Sequence, residues 1–375
     1  MKKVYLDNAS TTAIRTEVIQ EMAHVMAQDY GNPSSTHSFG RNAKSVLELS
    51  RKSIAKHIKA SAQEIIFTSS GTEANNWILR SAVKDLKVQR IITSKIEHHA
   101  VLHTVLVLQQ EYGIQVDYVR IKPDGTIDLT DLTVLLGQDG KTLVSLMHVN
   151  NEVGTVLDLK RVAVICKEHN VLLHTDTVQS IGKTVIDVAE LSIDFLVASA
   201  HKFHGPKGVG FAFIRKNSGL QPLFFGGEQE KGLRPGTEAV HQIAGMAKAL
   251  ELAYANLDNE KAHISGLKTH LIQQLELEFP GHAINGDAAT FYNIVNVLLP
   301  FSADKTAMIL FHLDMKGIAV SRGSACQSGS IRPSHVLAEM LSVDDLKKPS
   351  LRISFSHYNS LEDVDLLIEA LKSIK

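Results

Sequence analysis

Six short apolar runs punctuate the first 215 residues of this chain, and polar, reactive clusters follow most of them. The runs are Glu64 to Thr68, Arg90 to Thr93, Thr142 to Met147, Val171 to His174, Phe195 to Ala198 and Gly210 to Ile214. They are rich in β-branched residues and apolar almost throughout, as strands buried on both faces are. Helical patterns separate them. That alternation predicts an α/β domain built on a mostly parallel sheet, because parallel strands need crossover helices that cover both faces. Ligands of such sheets sit beyond the carboxyl ends of the strands. The clusters that follow the runs are Ser69 to Glu73, Glu97-His98-His99, His148 to Glu152, Asp176, and Ser199 to Lys202.

From about Gln242 the texture changes. A long helical pattern runs from Ile243 to Leu257 and on through Leu267, Leu271 and Leu275. It leads to a second α+β region with strands expected at Tyr292 to Val297 and Leu351 to Phe355. The expected division is a large α/β domain over 14–250 and a smaller α+β domain formed by 1–13 and 251–375. A chain of 375 residues is long enough for both cores. Gly31 to Ser35 and Gly226 to Gly236 read as loops.

Composition excludes some functions. A net charge of −1 gives no bulk attraction to nucleic acid or an anionic membrane. No run approaches the length of a membrane span. The N-terminal Met1 to Asp7 turns acidic too early for a signal peptide, so the cytoplasm is the expected compartment. Two cysteines, Cys166 and Cys326, are too few for a disulfide framework and lack zinc spacing. Cys166 lies on an apolar helical face and reads as a buried, inert thiol. Cys326 sits in Ser321 to Ser330, a small-residue stretch with Arg322 close by, where a usable thiol is equally reasonable.

Within the clusters, Ser199-Ala200-His201-Lys202-Phe203-His204-Gly205-Pro206-Lys207-Gly208 places one lysine at the end of a buried strand and before a Gly/Pro turn. A Schiff-base lysine needs that setting, since burial or a nearby cation frees its amine. A surface loop would look similar. Pyridoxal 5′-phosphate (PLP) would also need an acid at its pyridine nitrogen and a cradle for its phosphate. Asp176 could supply the acid, with Gln179 within reach of the ring's phenolic oxygen; a helix cap is the plainer reading. Thr68 to Asn76 follows a strand and opens a helix, which suits an anion or simple N-capping. His99 and His103 have zinc-like i, i+4 spacing but no third ligand nearby. His98 and its neighbours therefore read as cofactor-site or ordinary histidines. Arg352, within an apolar strand, is either half-buried and paired or held for a carboxylate.

Taken in order, these segments resemble the cysteine desulfurases of the class V, fold-type I, PLP-dependent aminotransferase family. The resemblance runs nearly the whole length. It is carried by Tyr5 to Thr12, Gly31 to Ser35, Ser70 to Asn76, Glu97-His98, His148 to Gly154, Asp176 with Gln179, Ser199 to Gly208, Arg234 to Thr237, and Gly323 to Cys326. The Ser-Ala-Cys stretch is similar to that of the NifS/IscS-type group, whose loop is longer and more mobile than the SufS-type loop.

The resemblance implies a large, mostly parallel seven-stranded sheet domain with a smaller α+β domain. It implies that Lys202 carries the cofactor. Gly71, Thr72, Ser199 and His201 would hold the phosphate, with Thr237 donated by the partner subunit of a homodimer. Asp176 would pair with the pyridine nitrogen and Gln179 with the ring oxygen. His98 would stack on the ring and move protons. Asn151 and Arg352 would take the substrate carboxylate, and Cys326 would accept sulfur from L-cysteine as a persulfide, leaving L-alanine. The sulfur would pass to an acceptor or iron–sulfur scaffold protein, for cluster assembly, tRNA thiolation or thiamine synthesis. No resident metal is implied; a transferred iron–sulfur cluster would be the metal species Cys326 meets. The alternatives are a selenocysteine lyase or another class V PLP enzyme, and a non-catalytic scaffold that kept the fold. Five positions depart from the family pattern: Ser70 for Gly, Thr177 for a small residue, Leu157-Asp158 for Gln-Pro, and Ser356 for Gly. Ser70 could alter the phosphate turn and Thr177 could crowd the ring face, but none of these departures removes a reacting group, so they read as variation.

Overall fold

The computed structural model describes residues 2–138, 140–286, 290–323 and 334–374. Among them twelve strands fall in chain order: β1 (Val4–Tyr5), β2 (Ile65–Thr68), β3 (Arg90–Thr93), β4 (Gln115–Tyr118), β5 (Thr142–Ser145), β6 (Leu172–Asp176), β7 (Phe195–Ser199), β8 (Gly210–Ile214), β9 (Ala283–Ile284), β10 (Ile294–Leu298), β11 (Ile318–Ala319) and β12 (Ser350–Ser354). Seven form one sheet in the order β2-β8-β7-β6-β5-β3-β4. Its pairs are parallel except for β8, which runs against both neighbours. The expected seven-stranded, mostly parallel sheet is therefore present. All six strands expected here end within two residues of the ends read from the sequence, because their residues are buried on both faces. The run from Thr142 stops at Ser145, since Leu146 and Met147 already bend toward the strand-end segment that follows. β4 has no such run. It lies on the sheet edge, half-exposed, so Gln115 and Asp117 replace apolar residues.

Apolar clusters cover both faces of this sheet. One includes Phe67, Val144, Leu196 and Phe211; the other includes Ile66, Trp77, Phe195 and Ala212. The odd and even positions of one strand thus feed opposite layers, as the pleat requires. A third cluster joins Val4 and Leu6 to Leu271, Val297, Leu351 and Leu367. It sits over the three-stranded antiparallel sheet β12-β10-β9.

The long helical pattern after Gln242 is two helices, Val240–Ala255 and Leu257–Glu278. Asn256 breaks them at φ −107°, ψ 8°. Apolar spacing alone hid this, since both helices keep a buried stripe. The first packs on the helices Thr16–Gln28 and Ser38–His57; the second packs on Leu361–Lys372.

The N-terminal segment links the two sheets. Thr12 N–H donates to the His201 carbonyl at 2.9 Å, Leu6 N–H to the Ala319 carbonyl at 2.9 Å, and Ser354 N–H to the Leu6 carbonyl at 2.8 Å. Asp7 to Thr12 consequently lies against the turn that carries Lys202.

A buried ion pair braces the other side. Arg51 donates Nη1 to Glu230 Oε2 at 2.7 Å and Nη2 to Oε1 at 2.6 Å. Nη1 also reaches the Ile65 carbonyl at 2.8 Å, and Phe67 N–H donates to Glu230 Oε2 at 2.7 Å. The Arg51 guanidinium stands 4.5 Å over the Phe67 ring. One charge pair thereby ties helix Ser38–His57, strand β2 and the segment 229–232 together. Among the described residues no helix is long and apolar enough to cross a membrane.

Candidate active site

A pocket of ≈ 220 Å³ opens where the carboxyl ends of β2, β6 and β7 meet the N-terminal segment and β12. Lys202 occupies the single helical turn Ala200–Lys202 directly after β7. That turn is pinned by Ala200 N–H donating to the Val209 carbonyl at 3.1 Å and Gly205 N–H donating to the Ala200 carbonyl at 2.9 Å. Gly205 is required there: a Cβ would lie 2.9 Å from Ala200 Cβ and 3.0 Å from its carbonyl oxygen. Lys202 Nζ donates to the carbonyls of Ala9 at 2.6 Å and Ser10 at 2.9 Å. The amine is thus aimed into the pocket by backbone acceptors.

Asp176 ends β6 and is buried. Its Oδ2 accepts from Asn75 Nδ2 at 2.8 Å and its Oδ1 from Val178 N–H at 2.9 Å. Two donors fix the carboxylate's orientation toward the pocket. Gln179 follows, donating Nε2 to the Ala9 carbonyl at 2.8 Å.

The helix Gly71–Lys84 begins at the opposite end of the pocket. Ser70 caps it, accepting from Glu73 N–H at 3.2 Å. Free N–H groups of the first turn and the positive end of the helix dipole suit a phosphate. A Cβ on Gly71 would stand 2.6 Å from Val178 Cγ2 and would point toward Ser199 Cβ, so the absent side chain leaves a cradle. Ser70 fits this turn without strain: its φ of −172° is extended backbone that any residue adopts. Thr177 does not crowd the pocket either. It is buried, and its hydroxyl donates to the Val197 carbonyl at 2.7 Å within the sheet. The neighbouring Val178 forms the wall instead.

His98 and His201 complete the lining with Thr72 and Ser199. His98 caps the helix His99–Tyr112, and its Nδ1 accepts from Ala100 N–H at 3.1 Å. A neutral ring with that acceptor carries its proton on Nε2. Burial pushes the His98 pKa down, opposed by Asp176. His201 approaches the Thr11 hydroxyl at 3.2 Å. Burial and then the Lys202 cation press His201 down to about 3, so its ring is neutral. Glu97, next to His98, is fully buried and accepts from Ser94 Oγ at 2.8 Å and Met147 N–H at 3.0 Å. Burial raises its carboxyl to about 8.

Arg352 enters from β12, 1 % exposed. It is fully buried and paired, and it also lines the pocket. Nη2 donates to Asp7 Oδ1 at 2.8 Å and also to the Ser10 hydroxyl; Nη1 donates to the Asn151 carbonyl at 2.8 Å. Its buried Nε has no hydrogen-bond partner among the described residues. Asn151 lines the same pocket. Thr237 is exposed and does not line the pocket of its own chain. Cys326 lies outside the described residues. Cys166 is buried in the core, and burial pushes its thiol to about 12. The His99 and His103 rings stack at 4.8 Å, and no group of three or more potential ligands is close enough to hold a metal among the described residues.

Four contributors escaped the sequence reading. Asn75 is one turn beyond Gly71, which the helical period would have placed on the same face. Ala9 and Ser10 were visible only as part of a motif, because they act through backbone carbonyls. Lys183 touches Gln179 from behind the pocket wall.

The class-V aminotransferase family model matches residues 4–367. A cysteine desulfurase IscS of Dictyoglomus turgidum is 40% identical over 375 residues, covering 100% of this chain and 94% of that protein. Among solved structures, a NifS-like protein superposes with a TM-score of 0.92 at 36% identity, covering 100% of this chain and 99% of the other. SspA in complex with cysteine superposes with a TM-score of 0.81 at 30% identity, covering 95% of this chain and 100% of the other.

Proposed function

Since the chain belongs to the class-V aminotransferase family, among its cysteine desulfurases, we propose that its pocket works through Lys202, Asp176, His98 and Cys326 in the roles that follow. The enzyme is PLP-dependent and releases sulfur from L-cysteine as it forms L-alanine. The observation that carries the site assignment is that Lys202, Asp176, His98 and the Gly71 turn line one pocket. The cradle beside Gly71 and the doubly held Asp176 fit the cofactor's two polar ends. Thr72, Ser199 and His201 add donors at the phosphate end, and Gln179 one at the ring oxygen. Thr237 would join them from the partner subunit of a homodimer.

Bound PLP supplies an electron sink that acidifies the substrate Cα–H and weakens the bond from Cβ to sulfur. Asp176 keeps a proton on the ring nitrogen, which deepens that sink. Lys202, once its amine is free, takes the Cα proton, and the carbonyls of Ala9 and Ser10 hold it in range. Arg352 and Asn151 take the substrate carboxylate, whose two oxygens a guanidinium matches. His98 presents an Nε2 proton to the pocket and exchanges protons with the substrate as the bond to sulfur breaks. The Cys326 thiolate attacks that sulfur. The carbon–sulfur bond breaks, a sulfur–sulfur bond forms, and the released carbon skeleton keeps the electron pair and is protonated to alanine.

The persulfide would then pass to an acceptor or iron–sulfur scaffold protein, in the cytoplasm. The division into 14–250 and 1–13 with 251–375 belongs to the same reading, supported by the separate apolar clusters. The test is to incubate the protein with PLP and L-cysteine, measure alanine, and locate bound sulfur by mass spectrometry. Cys326→Ala should bind PLP and cysteine yet deliver no persulfide. Unimpaired alanine formation and sulfur delivery by that variant would overturn the role of Cys326.

A further inference from the structure

Lys183 is a fully buried lysine that the chemistry above does not use. It follows β6, on the turn after Gln179, and its Nζ donates to Gln179 Oε1 at 3.3 Å. Among the described residues no carboxylate pairs with it. The groups that face it are cationic or titratable: Lys202, His201 and His204 from the turn after β7. Arg15 and Glu260 border the small cavity behind it, and they pair with each other at 2.6 Å. Burial, and then the Lys202 charge, bring Lys183 down to about 7. An apolar side chain of the same length would fill this place without the cost of desolvating an amine.

Gln179 stands between this amine and the pocket. An amide side chain has one donating and one accepting end, which its partners sort. The Ala9 carbonyl can take only the Nε2 end, and a lysine in its charged form can only donate, so it demands the Oε1 end. Both contacts impose one orientation. Nε2 keeps a second hydrogen, and Gln179 lines the pocket. We propose that Lys183 is a positioning residue: it holds the Gln179 amide so that the pocket meets an N–H donor, aimed at the cofactor's ring oxygen. This rests on the proposed place of Gln179 at that oxygen.

A donor at the ring oxygen draws electron density from it and weakens its hold on the proton of the Lys202–cofactor Schiff base. Losing the donor makes that proton harder to remove. The holoenzyme is titrated without substrate, and the visible absorbance of the Schiff base follows its deprotonation. Gln179→Ala should move the midpoint upward by about one pH unit, the worth of one hydrogen bond to a charged acceptor. Lys183→Met should move it upward by about half a unit, since the Ala9 contact remains. The double variant should match Gln179→Ala alone, because the lysine acts through the amide. If Gln179→Ala shifts the midpoint and Lys183→Met leaves it in place, or if the two shifts add, the positioning role is overturned while Gln179 keeps its own. If neither variant shifts it, the place of Gln179 at the ring oxygen falls, and the role of Lys183 with it. Should Lys183→Met not fold, Lys183→Leu is read by the same titration with the same expectation.

Discussion

The Arg51–Glu230 pair offers a sharp test of how this fold holds its cofactor end in place. Both side chains are nearly inaccessible, at 2% and 1% exposure. Arg51→Met would leave the Glu230 carboxylate with the Phe67 N–H as its remaining hydrogen bond from that network. Stranding one buried partner costs roughly 3–5 kcal/mol. Glu230→Met differs. Arg51 keeps Glu48, at 3.2 Å and half-exposed, together with the Ile65 carbonyl. The Phe67 N–H, however, loses its acceptor, at a cost of about 1–3 kcal/mol. The expected cost of Glu230→Met is therefore lower, about 2–4 kcal/mol. The double variant Arg51→Met/Glu230→Met strands neither charge and should cost less than the sum of the two by about 2 kcal/mol or more.

Denaturant unfolding of the three variants and the parent, followed by intrinsic fluorescence at a fixed cofactor concentration, gives these differences from the midpoints. The order should be Arg51→Met, then Glu230→Met, with the double variant no worse than Arg51→Met. Strict additivity would refute the claim that the two charges depend on each other. Singles that each cost under about 0.5 kcal/mol would show that the buried geometry contributes little.

Two other variants probe the pocket. Lys202→Ala should lose the visible absorbance of the lysine–cofactor linkage and all desulfuration; a variant that keeps that absorbance unchanged would overturn the assignment. Glu97 is raised in the folded protein from the ordinary 4.5 to about 8. Its contribution to stability is thus full below about pH 4.5 and is lost as pH rises through about 8. Glu97→Gln should flatten that decline, by roughly a few kcal/mol between the two limits. A stability–pH curve with the parent's slope would refute it.

Most of the sheet was legible because its strands are buried on both faces and carry unbroken apolar runs. The strand at Gln115–Tyr118 was not, since an edge position half in water accepts Gln and Asp. The break at Asn256 was hidden because both flanking helices keep an apolar stripe. That Lys202, Asp176, Gln179, His98 and Arg352 would gather in one pocket was legible from residue type at strand ends and from motif order. That Ser70 sits in extended backbone and that the Thr177 hydroxyl turns into the sheet could not be read from spacing, because backbone conformation decides the one and side-chain direction the other. Asn75 and Lys183 were missed for a related reason. Each acts by orienting another side chain: Asn75 reaches Asp176 only once β6 and the helix Gly71–Lys84 are brought together, and Lys183 reaches Gln179 only once the turn after β6 forms.

The burial of Cys166 has a practical consequence. With its thiol pushed to about 12 and covered by core side chains, it is neither ionised at neutral pH nor open to a reagent. The sequence contains one other cysteine. In the native protein an alkylating label, or a sulfur atom picked up during turnover, therefore reports on position 326 without any cysteine having been engineered away. Unfolding exposes Cys166, so a label found on it in a native preparation marks a core that has opened.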